Sequence, residues 1–263
     1  TAVDRAALSQ QELESMQSME LQAVMGPYIT LALLYIVIAI AIAMVRVPEH
    51  EGLMADRKRE VVKLPGSRLG RLLKNRRYSF GVVAQFFNVA AQTCTWTFTL
   101  HYITENLGVN STIAGYWLQA SLLIFLFSRF IMVGLMGRFD PRMLMTLMCV
   151  LGVGLSVFAV VSGGVAGAIA IVLLSACISL LFPTIYGIAL EGLGQDTKYG
   201  AAGLVMAIVG GALIPPLQGW VVDMTSARVS YLVVAGCFLV IVGYGAYVLR
   251  HPTPVSTSAE DIA

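Results

Sequence analysis

The sequence predicts an all-α integral membrane protein, on three observations. Only 12% of the 263 residues are charged and 57% are hydrophobic, whereas a soluble domain of this size carries about a quarter charged residues. Seven segments stay apolar for the ~20 residues needed to cross a hydrocarbon core. No apolar–polar alternation of the β-barrel kind is present, so helices are the spanning solution that remains.

Along the chain, residues 1–25 read as a polar segment outside the membrane, helix-prone over LSQQELESMQSMELQAVM (8–25). The first span covers about 27–47, within a unit at 26–48. The chain opens on Thr1, and no signal-peptide pattern precedes this span. A lone span after a mid-loop start is what a piece of a longer polypeptide would show. Residues 49–79 form the one long hydrophilic connection and end in the basic run RLLKNRR (71–77). Such a loop pins topology and meets anionic lipid heads; no recognition fold accompanies its charges, so nucleic acid is not an expected partner.

Six spans then follow in short-loop succession, at about 80–103, 113–136, 143–162, 164–190, 200–221 and 229–249. They predict a compact bundle over 80–250, with a tail at 251–263. The connection 46–77 holds ten of the 17 Lys and Arg residues, and Arg138, Arg142, Lys198 and Arg250 fall on the same side. Arg5 and Arg228 fall on the other. The positive-inside rule makes the first side cytoplasmic, with the N-terminus external and the C-terminus cytoplasmic in a cell inner membrane.

Glycines are dense in the later spans: Gly152, Gly154, Gly163, Gly164, Gly167, Gly203, Gly210 and Gly211. Small residues let membrane helices approach closely. Pro183 is expected to interrupt the fifth span, and Pro215 with Pro216 the sixth; broken spans in corresponding places mark transporters built from repeats. The four cysteines all lie in spans without metal-ligand spacing. No metal or cofactor is expected. An enzyme would need a nucleophile, a metal cluster or an acid pair at depth, and the sequence offers none.

The segment QFFNVAAQTCTW (85–96) raises the functional question. At about 100° per residue, Gln85, Asn88, Gln92, Thr95, Trp96 and Thr99 fall in one stripe, opposite Phe86, Phe87, Ala90, Ala91, Cys94 and Phe98. An unpaired amide in hydrocarbon costs several kcal/mol. The stripe must therefore face other helices or a wet cavity. Amides beside an indole suit a sugar, whose C–H face rests on the ring while its hydroxyls bond to the amides. Tyr116, Gln119, Thr184, Tyr186 and Gln218 offer further neutral groups on other spans. Arg129 is expected to snorkel or to pair with carbonyls and lipid heads. Glu191, Asp196 and Lys198, around the turn EGLGQDTKYG, form either a gating or structural ion network or a solvated loop.

AQTCTW (91–96), SRFIMVGLMGRFDPR (128–142), FPTIYGIALEGLGQDTKYG (182–200) and IVGGALIPPLQGWVVD (208–223) resemble the fucose permease family, sugar:proton symporters of the major facilitator superfamily. The resemblance runs from about residue 10 to 250. It implies the major facilitator fold, with this chain holding helices six to twelve: the C-terminal six-helix bundle and one preceding helix. It also implies alternating access, with Gln92 and Trp96 in the sugar pocket. The family usually places asparagine where Tyr116 aligns and tyrosine where Phe182 stands, so fucose, galactose and glucose all stay open. The gating or structural set is Arg129, Glu191, Asp196, Lys198, Gly210, Gly211, Pro215 and Pro216. The family's proton-carrying carboxylates lie in its first and fourth helices, outside this chain, so the partners implied are sugar, protons, lipid and an N-terminal half. A seven-span receptor-like or purely structural membrane protein is the alternative. A retinal protein is excluded, because 229–249 has no lysine.

Overall fold

A computed structural model describes residues 25–26, 28–40, 44 and 68–251. The chain divides into two units, Thr1–Leu64 and Pro65–Ala263. In the first, α1 (Tyr28–Ile40) is an apolar helix with exposed side chains, within the expected 27–47. The readings of 1–24, of residues 49–67 of the 49–79 connection and of the tail 252–263 lie outside the described residues.

The second unit is a helical bundle. A short helix α2 (Arg68–Lys74) precedes α3 (Arg76–Leu107), α4 (Ser111–Met136), α5 (Pro141–Ser162) and α6 (Gly164–Leu190). A 3-10 turn at Gly194–Asp196 leads into α7 (Thr197–Met206); a second, at Ala207–Val209, joins it to α8 (Gly210–Met224), and α9 (Ala227–Arg250) closes the bundle. Spans α4, α5, α6, α9 and the composite Gly194–Met224 have both the length and the apolar composition to cross a membrane. With 32 residues α3 has the length, but its amides and hydroxyls keep it outside that group.

Helix starts follow from capping. Asn75, Asn110, Asp140 and Ser226 each accept a backbone N–H of the first turn through the side chain. Each satisfies a donor that the helix cannot satisfy itself, worth about 1 kcal/mol. Glu105, at the far end of α3, accepts the backbone N–H of Ala227 at 2.9 Å and helps seat α9. Arg228 donates to the carbonyls of Val160 and Val161 at the end of α5. Those carbonyls lie in the last turn, where helical acceptors go unused.

Packing makes α3 the central element. It touches α4, α6, α8 and α9, and both its polar stripe and its opposite face are largely buried. Tyr102 on α3 donates to Ala159 O on α5 at 2.7 Å, and Tyr231 on α9 donates to Thr95 O at 3.1 Å. The register of α3 on the antiparallel α6 is fixed near one end by Gly81, where a Cβ would stand 2.5 Å from that of Ala189. Gly210 lies against the Phe86 carbonyl and Gly211 against Thr93, so α8 can approach α3 only at glycine. Gly154 and Gly164 face open space, so dense glycine is not uniformly a packing signal.

The breaks expected at proline lie elsewhere. Helix α6 runs through Pro183, and α8 runs through Pro215 and Pro216. The sixth span is broken instead at Ala207–Val209, where 3-10 geometry tightens the backbone. Each proline removes one donor and one ladder bond, but neighbouring turns and packed helices hold the axis.

Candidate functional site

The structure divides the stripe on α3. Gln85, Asn88, Thr95 and Thr99 are fully buried, while Gln92 and Trp96 are half-buried. The central position of α3 explains this, because a helical wheel gives a face but not its neighbours. The buried threonines need no wet surroundings. Thr95 donates to Ala91 O at 2.7 Å and Thr99 to Thr95 O at 2.6 Å, the back-bonding open to a hydroxyl on a helix. Thr93 does the same toward Val89 O at 2.9 Å. Asn88 therefore stands inside the bundle, and the open part of the stripe is Gln92 and Trp96.

Around Trp96 the bundle builds a neutral polar cluster. Its indole Nε1–H donates to Ser175 Oγ on α6 at 3.2 Å, and Ser175 shares a 2.6 Å hydrogen bond with Ser121 on α4. Both serines are fully buried. Phe125 on α4 meets Trp96 edge-to-face with ring centroids 5.1 Å apart. Three helices thus fix one indole by a hydrogen bond and an aromatic edge, and the side chain retains a partly open face. Gln92, one turn away, is at the midpoint of α3. Neither serine was legible as a site residue, since each is a single hydroxyl within an apolar run; spacing from Phe125 and Trp117 on α4 was the only available signal.

On α6, Ser175, Phe182 and Tyr186 are spaced seven and four residues apart and so share a face. Phe182 and Tyr186 stack with centroids 6.4 Å apart at 12° and are half-buried. They extend this face from Ser175 toward the basic end. Tyr116 and Gln119 are exposed, on the side of α4 away from Ser121 and Phe125, so the bundle does not bring them to Trp96. Gln218 is buried and donates to Ser230 on α9 at 3.1 Å, an interhelical bond. Arg129 is exposed and lies 5.8 Å from the Phe125 ring centroid, a cation–π contact.

The basic end carries an ion network. Arg71 of α2 grips Asp196 through two hydrogen bonds, Nε to Oδ2 at 2.9 Å and Nη2 to Oδ1 at 2.8 Å. The hydrogen bond to Asp196 raises the guanidinium above its ordinary range, with burial opposing. Glu191, at the end of α6, receives Arg142 at 2.8 Å and faces Arg77 at 3.3 Å. Glu191 and Asp196 are thus paired, whereas Lys198 is exposed outside both pairs. The sequence showed the acids; their arginine partners were legible only as topology charges. Among the described residues the carboxylates all stand at helix ends, and no group of three potential metal ligands occurs.

The Major Facilitator Superfamily profile matches residues 81–262. An L-fucose-proton symporter of Haemophilus influenzae is 35% identical over 249 residues, 90% of this chain and 56% of that protein. The L-fucose-proton symporter of Escherichia coli is 30% identical over 89% of this chain and 53% of its own length. A glucose/galactose transporter of Brucella abortus is 28% identical over 86% of this chain and 54% of its own. The crystal structure of the transporter FucP in the outward conformation superimposes with a TM-score of 0.78 at 28% identity, covering 94% of this chain and 60% of that one. The chain thus spans just over half the length of these relatives. The resemblance to fucose permeases and the all-α fold read from the sequence are borne out.

Proposed function

Because the chain belongs to the Major Facilitator Superfamily, we propose that the Gln92–Trp96 region is the sugar-contacting face of a secondary transporter that moves a neutral monosaccharide, L-fucose or a related hexose, together with protons. One observation carries this reading: at mid-depth the bundle presents a half-open amide and an indole, held by Ser175 and Ser121, with every described carboxylate at a helix end. An indole face takes sugar C–H groups while an amide offers one donor and one acceptor to hydroxyls. A neutral ligand incurs no charge-burial cost there. Phe182 and Tyr186 continue the same wall. Asn88, Tyr116 and Gln119 belong to it only when helices shift from the arrangement described.

The ion network at the basic end is the proposed structural gate, with Glu191 and Asp196 holding α2, α3 and α5 against the turn after α6. Gly210 and Gly211 let α8 slide close to α3, next to the 3-10 break, while Pro215 and Pro216 leave ladder bonds unmade within α8. We assign the basic end to the cytoplasm and the carrier to a cell inner membrane, on the charge bias. Proton coupling is assigned to carboxylates beyond the described residues, in an N-terminal half.

The test is uptake of labelled fucose, galactose and glucose into vesicles carrying the full-length carrier, with and without an uncoupler. Uptake of one of them, abolished by the uncoupler and weakened by Gln92→Ala at unchanged abundance, is the expected result. Uptake indifferent to the uncoupler would sink the symport reading, and a loss of abundance with intact sugar affinity would turn Gln92 into a structural residue.

A further inference from the structure

Among the described residues, seven of the eight buried side-chain polar atoms without a hydrogen-bond partner lie along one seam. They are Arg77 Nε and Nη2, both amide atoms of Gln85, both amide atoms of Asn88, and the Tyr244 hydroxyl. Arg77, Gly81, Gln85, Asn88 and Gln92 follow one another at spacings of four, four, three and four, which places them on one face of α3. Gly81 has no side chain, and a Cβ there would stand 3.1 Å from the Tyr244 oxygen. The tyrosine of α9 thus fills the gap in the row with a hydroxyl. Gln85, Asn88 and Tyr244 are all at most 1% exposed.

The seam joins two places already described. At one end Gln92 is half-open, and at the other Arg77 faces Glu191 within the ion network. Tyr244 lies within electrostatic reach of Arg77, Glu191 and Arg142. Buried amides in native proteins almost always find partners, and those without a protein partner bond to internal water. The other groups of the same bundle obey this rule: Tyr102 and Tyr231 donate to carbonyls, and Thr95 and Thr99 bond back to their helix. The orphans are concentrated rather than scattered: Gln85 and Asn88 are one turn apart, and the Tyr244 hydroxyl stands by Gly81 between Gln85 and Arg77.

We propose that Asn88, Gln85, Tyr244 and Arg77 bind a file of internal water molecules that runs along α3 between the Gln92 region and the Glu191 ion network. Water fits where a cation does not, because Arg77 closes one end and Glu191 is already shared between two arginines. Amide and hydroxyl groups supply both donors and acceptors, the mixture a water needs for its two to four bonds. A hydrated seam also suits a helix that must shift, since water bonds re-form in a new register where direct side-chain bonds would have to break. This inference does not depend on which sugar, if any, the protein carries.

Radiolytic hydroxyl footprinting of the full protein in lipid discs tests it, because radicals arise from bound water and oxidise the tyrosine beside it. Tyr102 and Tyr231 serve as internal controls of equal burial. Tyr244 is expected to label at least tenfold faster than either, in sodium and in choline buffers alike. The double variant Gln85→Leu/Asn88→Leu is expected to bring its labelling down toward theirs without raising the thermal midpoint. Tyr244 as protected as Tyr102 and Tyr231 in the unmodified protein overturns the proposal, whatever the variant does. Labelling suppressed by sodium alone overturns it in favour of a cation, and a variant markedly more heat-stable than the parent overturns it in favour of dry, unpaired amides.

Discussion

The middle of the bundle and its basic end solve opposite problems. At the basic end, Glu191, Asp196, Arg71, Arg77 and Arg142 are ionised groups on helix ends, where water is near and the cost of burying charge stays modest. At the middle, Trp96, Ser175 and Ser121 do comparable connecting work beside Gln92 with neutral groups alone. The difference teaches where a membrane bundle can place polar function. Charge is tolerable at the rim and holds helices by attraction; at depth, only groups that can pass hydrogen bonds between neighbours or to a ligand are affordable.

The largest expected effect falls on the neutral middle. Trp96→Ala removes the indole, its bond to Ser175 and its contact with Phe125. On the proposed sugar-transport reading, affinity of the full-length carrier for its sugar should fall about a hundredfold, or ~3 kcal/mol, from an aromatic contact and a buried hydrogen bond together. Equilibrium binding by calorimetry would measure this, and an unchanged affinity would break the comparison by removing function from the middle.

Next comes Gly210→Ala, where a Cβ runs into the Phe86 carbonyl. Backbone cannot yield as a side chain can, so overpacking should cost about 1–3 kcal/mol. A lowered thermal midpoint would register it, with Gly154→Ala, which faces open space, as the near-neutral control. A third effect, of about 1 kcal/mol or less, is expected from Glu191→Gln, because this carboxylate is 38% exposed and its pairs are screened. Its sharper readout is access: a cysteine introduced near Arg142 should react faster from the basic side. The Arg71–Asp196 pair bears on pH as well. A raised arginine pKa contributes stability that is lost only as pH climbs through that raised value, so the pair should hold on its alkaline side throughout ordinary working pH. Protease clipping around α2 should therefore be flat from neutral to mildly alkaline pH.

The smallest effect is assigned to Gln119→Ala, less than twofold on uptake, since this residue points away from Ser121 and Phe125. A loss as large as that of Trp96→Ala would show that the outer face of α4 lines the sugar path in the assembled carrier.

The sequence made the spans legible because a 20-residue apolar run admits few other readings. Its reach was shorter for their ends: α3 starts at the Asn75 cap, four residues before the apolar run, and α2 is too short for its pattern to stand out from a basic loop. The break at Ala207–Val209 carries no proline or polar mark, while the visible prolines lie within continuous helices. For the site, Gln92 and Trp96 could be read from residue type and spacing. The burial of Asn88 could not, because it depends on neighbouring helices closing over a face that looks polar in isolation. Ser175 matters only through its distance from Trp96, which no local pattern encodes.

Helices α5 and α6 are joined through Gly163 alone, and Arg228 clasps the last carbonyls before it. An epitope or fluorescent tag spliced into that hairpin would pry the guanidinium off and splay two helices, so its accessibility would report injury rather than sidedness. The roomier Gly108–Asn110 connector is the better insertion point for mapping which compartment this face of the protein sees.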